Sequence, residues 1–280
     1  MEKKKIYLEQ QKWDIGYDIY GSTIKSLTKA IKKYSQLTGV SPEIAKYEFL
    51  KSRTVILRLI RLSYKHKLAE QTFVDVGCGN LFLLEFLRKQ SNAYLIGLDI
   101  TDRVFKNKKN IISRDRINAI VASATNLPFQ DNIISSFVSS EVIEHIQDIG
   151  NFFHEIYRCL NIKGKLILTT PNAKIRYWNL FNIFHMHKRR TRNIENNSEK
   201  HRQPFEKFND SIQIVRILKD LSFKNTNIQY FFFHPGQKWF TFKSKLLNLT
   251  LYHLFLTINP IAKRFFYKFG RIMLIQSTKA

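Results

Sequence analysis

Apolar runs and stretches of helical period take turns along the middle of the chain. Short apolar runs near 72–77, 94–99, 118–122, 134–140 and 164–170 read as buried strands. Between the first two lies Leu81-Phe-Leu-Leu-Glu-Phe-Leu87, whose apolar positions repeat at helical spacing. Strands alternating with helices predict a parallel sheet covered on both faces. The rhythm breaks at 174–210, a polar and basic excursion containing Lys188-Arg-Arg190. It resumes with a helix around 210–221 and a strand around 226–233, and Arg271-Ile-Met-Leu-Ile275 reads as the last strand. Upstream, residues 1–70 read as helical and basic. Glu43 to Leu62 carries apolar residues at helical spacing, with Pro42 placed for a first turn. Four segments follow: an N-terminal helical cap (1–70), an α/β core (71–233) with a substrate loop at 174–210, an insertion (234–270), and the last strand with its tail (271–280).

The densest chemistry lies at the end of the first strand, in Phe73-Val-Asp-Val-Gly-Cys-Gly-Asn80. Gly77 and Gly79 let the backbone turn sharply and let a ligand approach it closely. Asp75 sits at the strand's C-terminal end, where open α/β sheets bind ligands. The next strand, Tyr94-Leu-Ile-Gly-Leu-Asp-Ile100, ends in Asp99, an acid able to accept hydrogen bonds from both hydroxyls of a ribose. A dinucleotide site has the same outline. An acid inside the glycine motif would repel a pyrophosphate, however, and suits a cationic ligand bearing an amino group.

This arrangement resembles the S-adenosylmethionine (AdoMet) motif of class I methyltransferases. The resemblance extends over about residues 71–233 and is similar in detail to the type 11 and ubiquinone-pathway O-methyltransferases. It implies a doubly wound, Rossmann-like seven-stranded sheet, parallel except for the last strand. Ala122-Ser-Ala-Thr-Asn-Leu-Pro-Phe129 resembles the family's adenine loop, which implies that Ser123 and Ala124 contact the base. Ser123 stands where the family usually has Asp, and Leu81 where it usually has a third Gly. Gly164-Lys-Leu-Ile-Leu-Thr-Thr-Pro-Asn172 resembles the fifth strand, which ends near the active site.

Ser139-Ser-Glu-Val-Ile-Glu-His-Ile-Gln-Asp148 follows the fourth strand. If the chain turns helical there, Glu141 shares a face with Glu144 and His145. Two carboxylates and an imidazole form a set able to hold a divalent cation such as Mg, or a general base beside the acceptor. The related O-methyltransferases use a Glu-x-x-Glu-His set plus a later His. That likeness implies His201, in His201-Arg-Gln-Pro-Phe-Glu-Lys-Phe208, as a fourth ligand. Metal-free relatives also carry Glu-His here, where it closes the cofactor site, so a structural role stays open.

Charge changes the picture of partners. The chain has 46 Lys and Arg against 22 Asp and Glu, a net +24 over 280 residues. That excess predicts an anionic partner, a membrane surface or nucleic acid, unless it reflects compositional bias. From Leu221 to Ala280 there is no acidic residue, while aromatics crowd 239–269. Basic, aromatic and apolar together match an interfacial membrane element. A helical pair packed on the domain, or a homodimer face, is the alternative. No run of 18 apolar residues exists to span a bilayer. Met1-Glu-Lys-Lys-Lys5 lacks the apolar core of a signal peptide, and two cysteines without metal or disulfide spacing point to a reducing cytoplasm. The expectation is a cytoplasmic methyltransferase, peripheral at the inner face of the membrane. Its acceptor would be a small-molecule or lipid-linked hydroxyl on a sugar, glycan-lipid or quinone. RNA methylation is the second reading, and an inactive methyltransferase-like scaffold the third.

Overall fold

The computed structural model describes residues 68–79, 81–107, 109–174, 207, 209–231 and 270–280, together with isolated positions elsewhere. A seven-stranded sheet organises them. Its strands are β1 (Thr72–Val76), β2 (Tyr94–Asp99), β3 (Ile117–Val121), β4 (Ile134–Ser140), β5 (Leu160–Pro171), β6 (Phe223–Phe231) and β7 (Ile272–Lys279). The strand order is β3-β2-β1-β4-β5-β7-β6. β1 pairs in parallel with β2 and β4, β2 with β3, and β4 with β5. Only β7 is reversed, pairing antiparallel with both β5 and β6. The expected sheet and its single antiparallel strand are therefore present.

Alternate residues of each strand enter two separate cores, as the pleat requires. On one face Val74, Val76, Leu98, Phe137, Leu166, Leu168, Met273 and Ile275 are buried. Two helices cover them, α4 (Ile149–Cys159) and α5 (Ser211–Asp220). In α4 the apolar residues Ile149, Phe152, Phe153, Ile156 and Cys159 recur at helical spacing and face this core. Asp148 caps it by accepting from the Asn151 N–H, and Asp210 caps α5 through the Ile212 N–H. On the other face Phe73, Leu95, Val138, Ile167 and Leu274 are buried under α1 (Phe82–Arg88). Ile56 and Ile60, four residues apart and helical, are fully buried in that same core. α2 (Arg103–Asn107) and α3 (Lys109–Asp115) lead from β2 to β3.

β5 differs from expectation at its start. The chain passes from α4 directly into extended backbone at Leu160, which pairs with Ile134 four residues before the predicted strand. No glycine or proline marks that junction, so the sequence pattern does not reveal it. Lys279 closes the far edge. Its ammonium donates to the Tyr157 and Leu160 carbonyls and to Asn132 Oδ1, at the C-terminal end of α4.

Candidate active site

The strand order reverses direction between β1 and β4, the kind of switch point whose loops bound a ligand crevice in open α/β sheets. The glycine turn after β1 lies at that switch point. Gly77 has φ 70° and Gly79 φ 48°, both in the left-handed region. The N–H groups of Gly77 and Cys78 donate to the Leu98 carbonyl at 2.8 and 3.0 Å, which ties the turn to the end of β2. A Cβ on Gly77 would lie 2.4 Å from Val142 Cγ2, so only glycine fits.

Asp75 and Asp99 are both buried, each 3% exposed, at the ends of neighbouring strands. Asp99 Oδ2 accepts from the Gly79 N–H at 3.0 Å and Oδ1 from the Thr101 N–H at 3.2 Å. Each carboxylate oxygen has two lone pairs, the acceptor type that ribose hydroxyls need. The buried Cys78 thiol reports the local field. Burial pushes its pKa well above the ordinary thiol range, and the negative charges of Asp99 and then Asp75 push it further. The thiol therefore stays protonated. A buried, doubly acidic turn fits a ligand carrying a sulfonium and an amino group, and it opposes a pyrophosphate.

Leu81 occupies the third-glycine position in left-handed backbone, φ 61°, and is wholly buried. Gly97 of β2 makes this possible, since a Cβ there would meet Leu81 Cδ2 at 2.9 Å and Cys78 Sγ at 3.1 Å. Asn80 lies outside the described residues.

The loop after β3 holds Ser123 and Ala124, both half-buried. The Ala122 N–H donates to the Asp99 carbonyl, bringing this loop against the acid. Ser123 Oγ accepts from the Thr125 N–H at 3.3 Å and lies 2.9 Å from Thr125 Oγ1, a local serine turn. Sequence reasoning missed what holds this loop. Glu155 of α4 accepts from the Leu127 N–H. Arg158 donates to the Phe129 and Leu127 carbonyls, to Asp131 and to Glu155. Asn151 Nδ2 donates to the Thr125 carbonyl. The hydrogen bond from Arg158 chiefly holds the Glu155 carboxyl below its ordinary value.

At the end of β4 the expectation needs correcting. Only Ile143–His145 is helical, a single 3₁₀ turn. Glu141 precedes it in left-handed backbone, φ 58°, with its N–H donating to the Thr169 carbonyl. Helical spacing therefore does not put Glu141 on a face with Glu144 and His145. Glu144 is buried and accepts from Thr170 Oγ1 at 3.1 Å, while its Oε1 lies 3.9 Å from His145 Nε2. Among the described residues no group of three or more His, Cys, Asp or Glu side chains is arranged to hold a metal ion. Glu141, Glu144 and His145 thus do not form the expected divalent-cation cluster, and His201 lies outside the described residues. The Lys207 N–H does reach the Glu144 carbonyl at 2.7 Å, so the chain at Lys207, within the His201-to-Phe208 segment, returns to this turn.

Thr170 and Asn172 at the end of β5 complete this edge. Asn172 Nδ2 donates to the Lys268 and Gly270 carbonyls, and its backbone N–H donates to the Arg271 carbonyl. Asn209 bridges to Asn172 and is buried, with no hydrogen-bond partner for either side-chain amide atom among the described residues. No periodicity signals such a residue in sequence.

Comparison with known proteins agrees with this geometry. The profile of the methyltransferase domain family matches residues 74–168. A malonyl-[acyl-carrier protein] O-methyltransferase from Legionella pneumophila is 25% identical over 148 residues, 52% of this chain and 48% of that protein. A human mitochondrial arginine-hydroxylase is 23% identical over 139 residues, 49% of this chain and 39% of that protein. The chain spans about half the length of the curated relatives it matches. A SAM-dependent methyltransferase structure from Archaeoglobus fulgidus shares the fold at TM-score 0.51 and 15% identity, covering 83% of this chain and all of that one. Over residues 74–168 the chain carries a methyltransferase domain, and its acid-bearing glycine turn, its Asp99 and its single reversed strand sit in the fold of the S-adenosylmethionine-dependent methyltransferases.

Proposed function

We propose that this chain transfers the methyl group of AdoMet to a hydroxyl oxygen on a sugar, a glycan-lipid or a quinone-type lipid. The observation that carries the reading is the buried Asp99 carboxylate bonded to the Gly79 N–H beside a second buried acid. When bound, AdoMet supplies an electrophilic methyl on a sulfonium. Asp99 would hold the ribose, Asp75 and the Gly77 turn the amino acid end, and the loop at Ser123 and Ala124 the base. The chain's main work is alignment and exclusion of water. A hydroxyl acceptor must also lose its proton. In this reading His145 would take it, and the Glu144 carboxylate 3.9 Å from His145 Nε2 supports the role by favouring the resulting imidazolium. Thr170 keeps Glu144 in position.

RNA methylation is the second reading, supported by the +24 charge. One relative carries a hydroxylase name, so the test must follow the methyl group itself. Calorimetry should show AdoMet binding to the wild type. Asp99→Ala should weaken it by ~10-fold or more, since charge-assisted bonds contribute ~1.5–3 kcal/mol each. Methyl-tritiated AdoMet incubated with lipid and RNA extracts of the source cells should label the lipid fraction, and His145→Gln should abolish labelling while leaving AdoMet affinity intact. Unchanged affinity in Asp99→Ala would sink the site assignment. Label in RNA alone would sink the acceptor, and binding without transfer would leave a scaffold.

A further inference from the structure

The interval between β6 and β7 carries a patterned surface that methyl transfer does not require. Leu246, Leu247, Thr250, His253, Leu254 and Thr257 are α-helical. At about 100° per residue they all fall on one arc. All six are exposed, whereas Leu251, just beyond the edge of that arc next to Leu247, is half-buried. The Thr250 and Thr257 hydroxyls donate to the Leu246 and His253 carbonyls one turn back, at 2.9 Å each. The threonines thereby satisfy their own polar atoms and leave methyl groups outward. Leu246 is 76% exposed, Leu254 52% and, further on, Ile261 62%, with helical Arg264 also exposed. A soluble domain rarely turns leucines outward in register on one helical face.

Two observations say what covers this face. The first is charge. Nine Lys or Arg and no Asp or Glu lie between Leu221 and Ala280, so an acidic protein surface or an anionic bilayer fits and a basic one does not. Apolar leucines flanked by cations match the boundary of a bilayer, with its apolar interior under anionic headgroups, better than the polar groove of a nucleic acid. The second is position. β6 runs parallel to β1, so Phe231 ends at the sheet edge that holds Asp75 and Asp99, and the reversed β7 starts from that same edge. The interval therefore leaves and rejoins the sheet at the active-site mouth. Asn172 fixes the return by holding the Lys268, Gly270 and Arg271 carbonyls against the end of β5.

We infer that the face formed by Leu246, Leu247 and Leu254 docks on an anionic lipid bilayer, setting the methyl-transfer edge against the headgroups. The inference deepens the reading of the acceptor as lipid-borne and rests on it for its purpose, but the docking stands or falls by itself. The full chain should sediment with vesicles of phosphatidylcholine mixed with phosphatidylglycerol at low salt, and not with phosphatidylcholine alone. High salt should weaken the association without abolishing it, because the leucine contribution is unscreened. Leu246→Glu combined with Leu254→Glu should reduce vesicle affinity by ~100-fold, about tenfold for each buried leucine. Both positions are exposed, so folding should survive. Calorimetric AdoMet affinity, unchanged in the double variant, checks this. No sedimentation with anionic vesicles, or equal sedimentation of the double variant, overturns the docking. So does a wild-type dimer that the double variant splits while vesicles bind neither, which assigns the face to a second copy. Retention of an RNA oligonucleotide in place of vesicles overturns it in favour of nucleic acid. Vesicle binding without AdoMet binding would instead overturn the methyltransferase reading and leave the docking intact.

Discussion

Gly77 joins two segments at one atom. Its left-handed backbone shapes the cofactor turn, and the space where its side chain would be is filled by Val142, the neighbour of Glu141. The glycine turn after β1 and the segment after β4 are therefore packed as one unit. Gly77→Ala should cost ~1–2 kcal/mol for the backbone and ~1–3 for overpacking. Val142→Ala opens space beside Gly77, so the Gly77→Ala/Val142→Ala double variant should recover the overpacking part and not the backbone part. Thermal melts with a double-mutant cycle measure this, and strict additivity would show the two residues do not meet. Residue by residue, the sequence disclosed the groups that repeat a motif and hid those that answer a neighbour. Asp75, Gly77, Gly79 and Asp99 announce themselves by spacing. The left-handed turn at Glu141, the room that Gly97 leaves for Leu81, and the buried amide of Asn209 depend on distant chain. No local pattern encodes them.

Among the elements, α4 does more than cover the sheet. Its inner face is apolar, while its rim carries Asn151, Glu155 and Arg158, which together hold the loop after β3. Arg158→Ala should cost ~2 kcal/mol and loosen that loop, raising the AdoMet dissociation constant by a few-fold. Hydrogen exchange at the Leu127 amide would register the loosening, and unaltered protection there would refute it. Acid should act on the same clamp. The Glu155 carboxyl is held below its ordinary 4.5, chiefly by Arg158. A depressed folded value means its stabilisation is present above 4.5 and is lost as pH falls through the lower folded value. Melting temperature should therefore fall more steeply below about pH 4.5 in the wild type than in Glu155→Gln. A pattern of charged residues at helical spacing reads in sequence as a solvated face. That is why the strands were legible from their apolar runs while this clamp, reaching back about thirty residues, was not.

At the scale of the whole molecule the C-terminal strand is both a wall and a fastening. β7 is buried between β5 and β6, and its Lys279 ties the sheet edge to the end of α4. Burial holds that ammonium below the ordinary lysine value, and its bonds keep it paired with carbonyls. Lys279→Met preserves length and removes the donors, leaving the Tyr157 and Leu160 carbonyls unmet. It should lower stability by ~2 kcal/mol without touching AdoMet affinity. A melting temperature equal to wild type would show the fastening is idle.

The chain's two thiols are both withdrawn from solvent. Cys78 sits beside two carboxylates, and Cys159, buried at the C-terminal end of α4, has its pKa pushed up to about 11 by burial. Neither presents an appreciable thiolate at neutral pH, and maleimides and iodoacetamides react with thiolate. For spectroscopy the native protein thus behaves as though it had no cysteine. A single cysteine introduced at an exposed position such as Leu254 would carry a fluorophore or spin label alone. The approach of that helical face to a bilayer could then be watched in the intact chain, with neither native residue replaced.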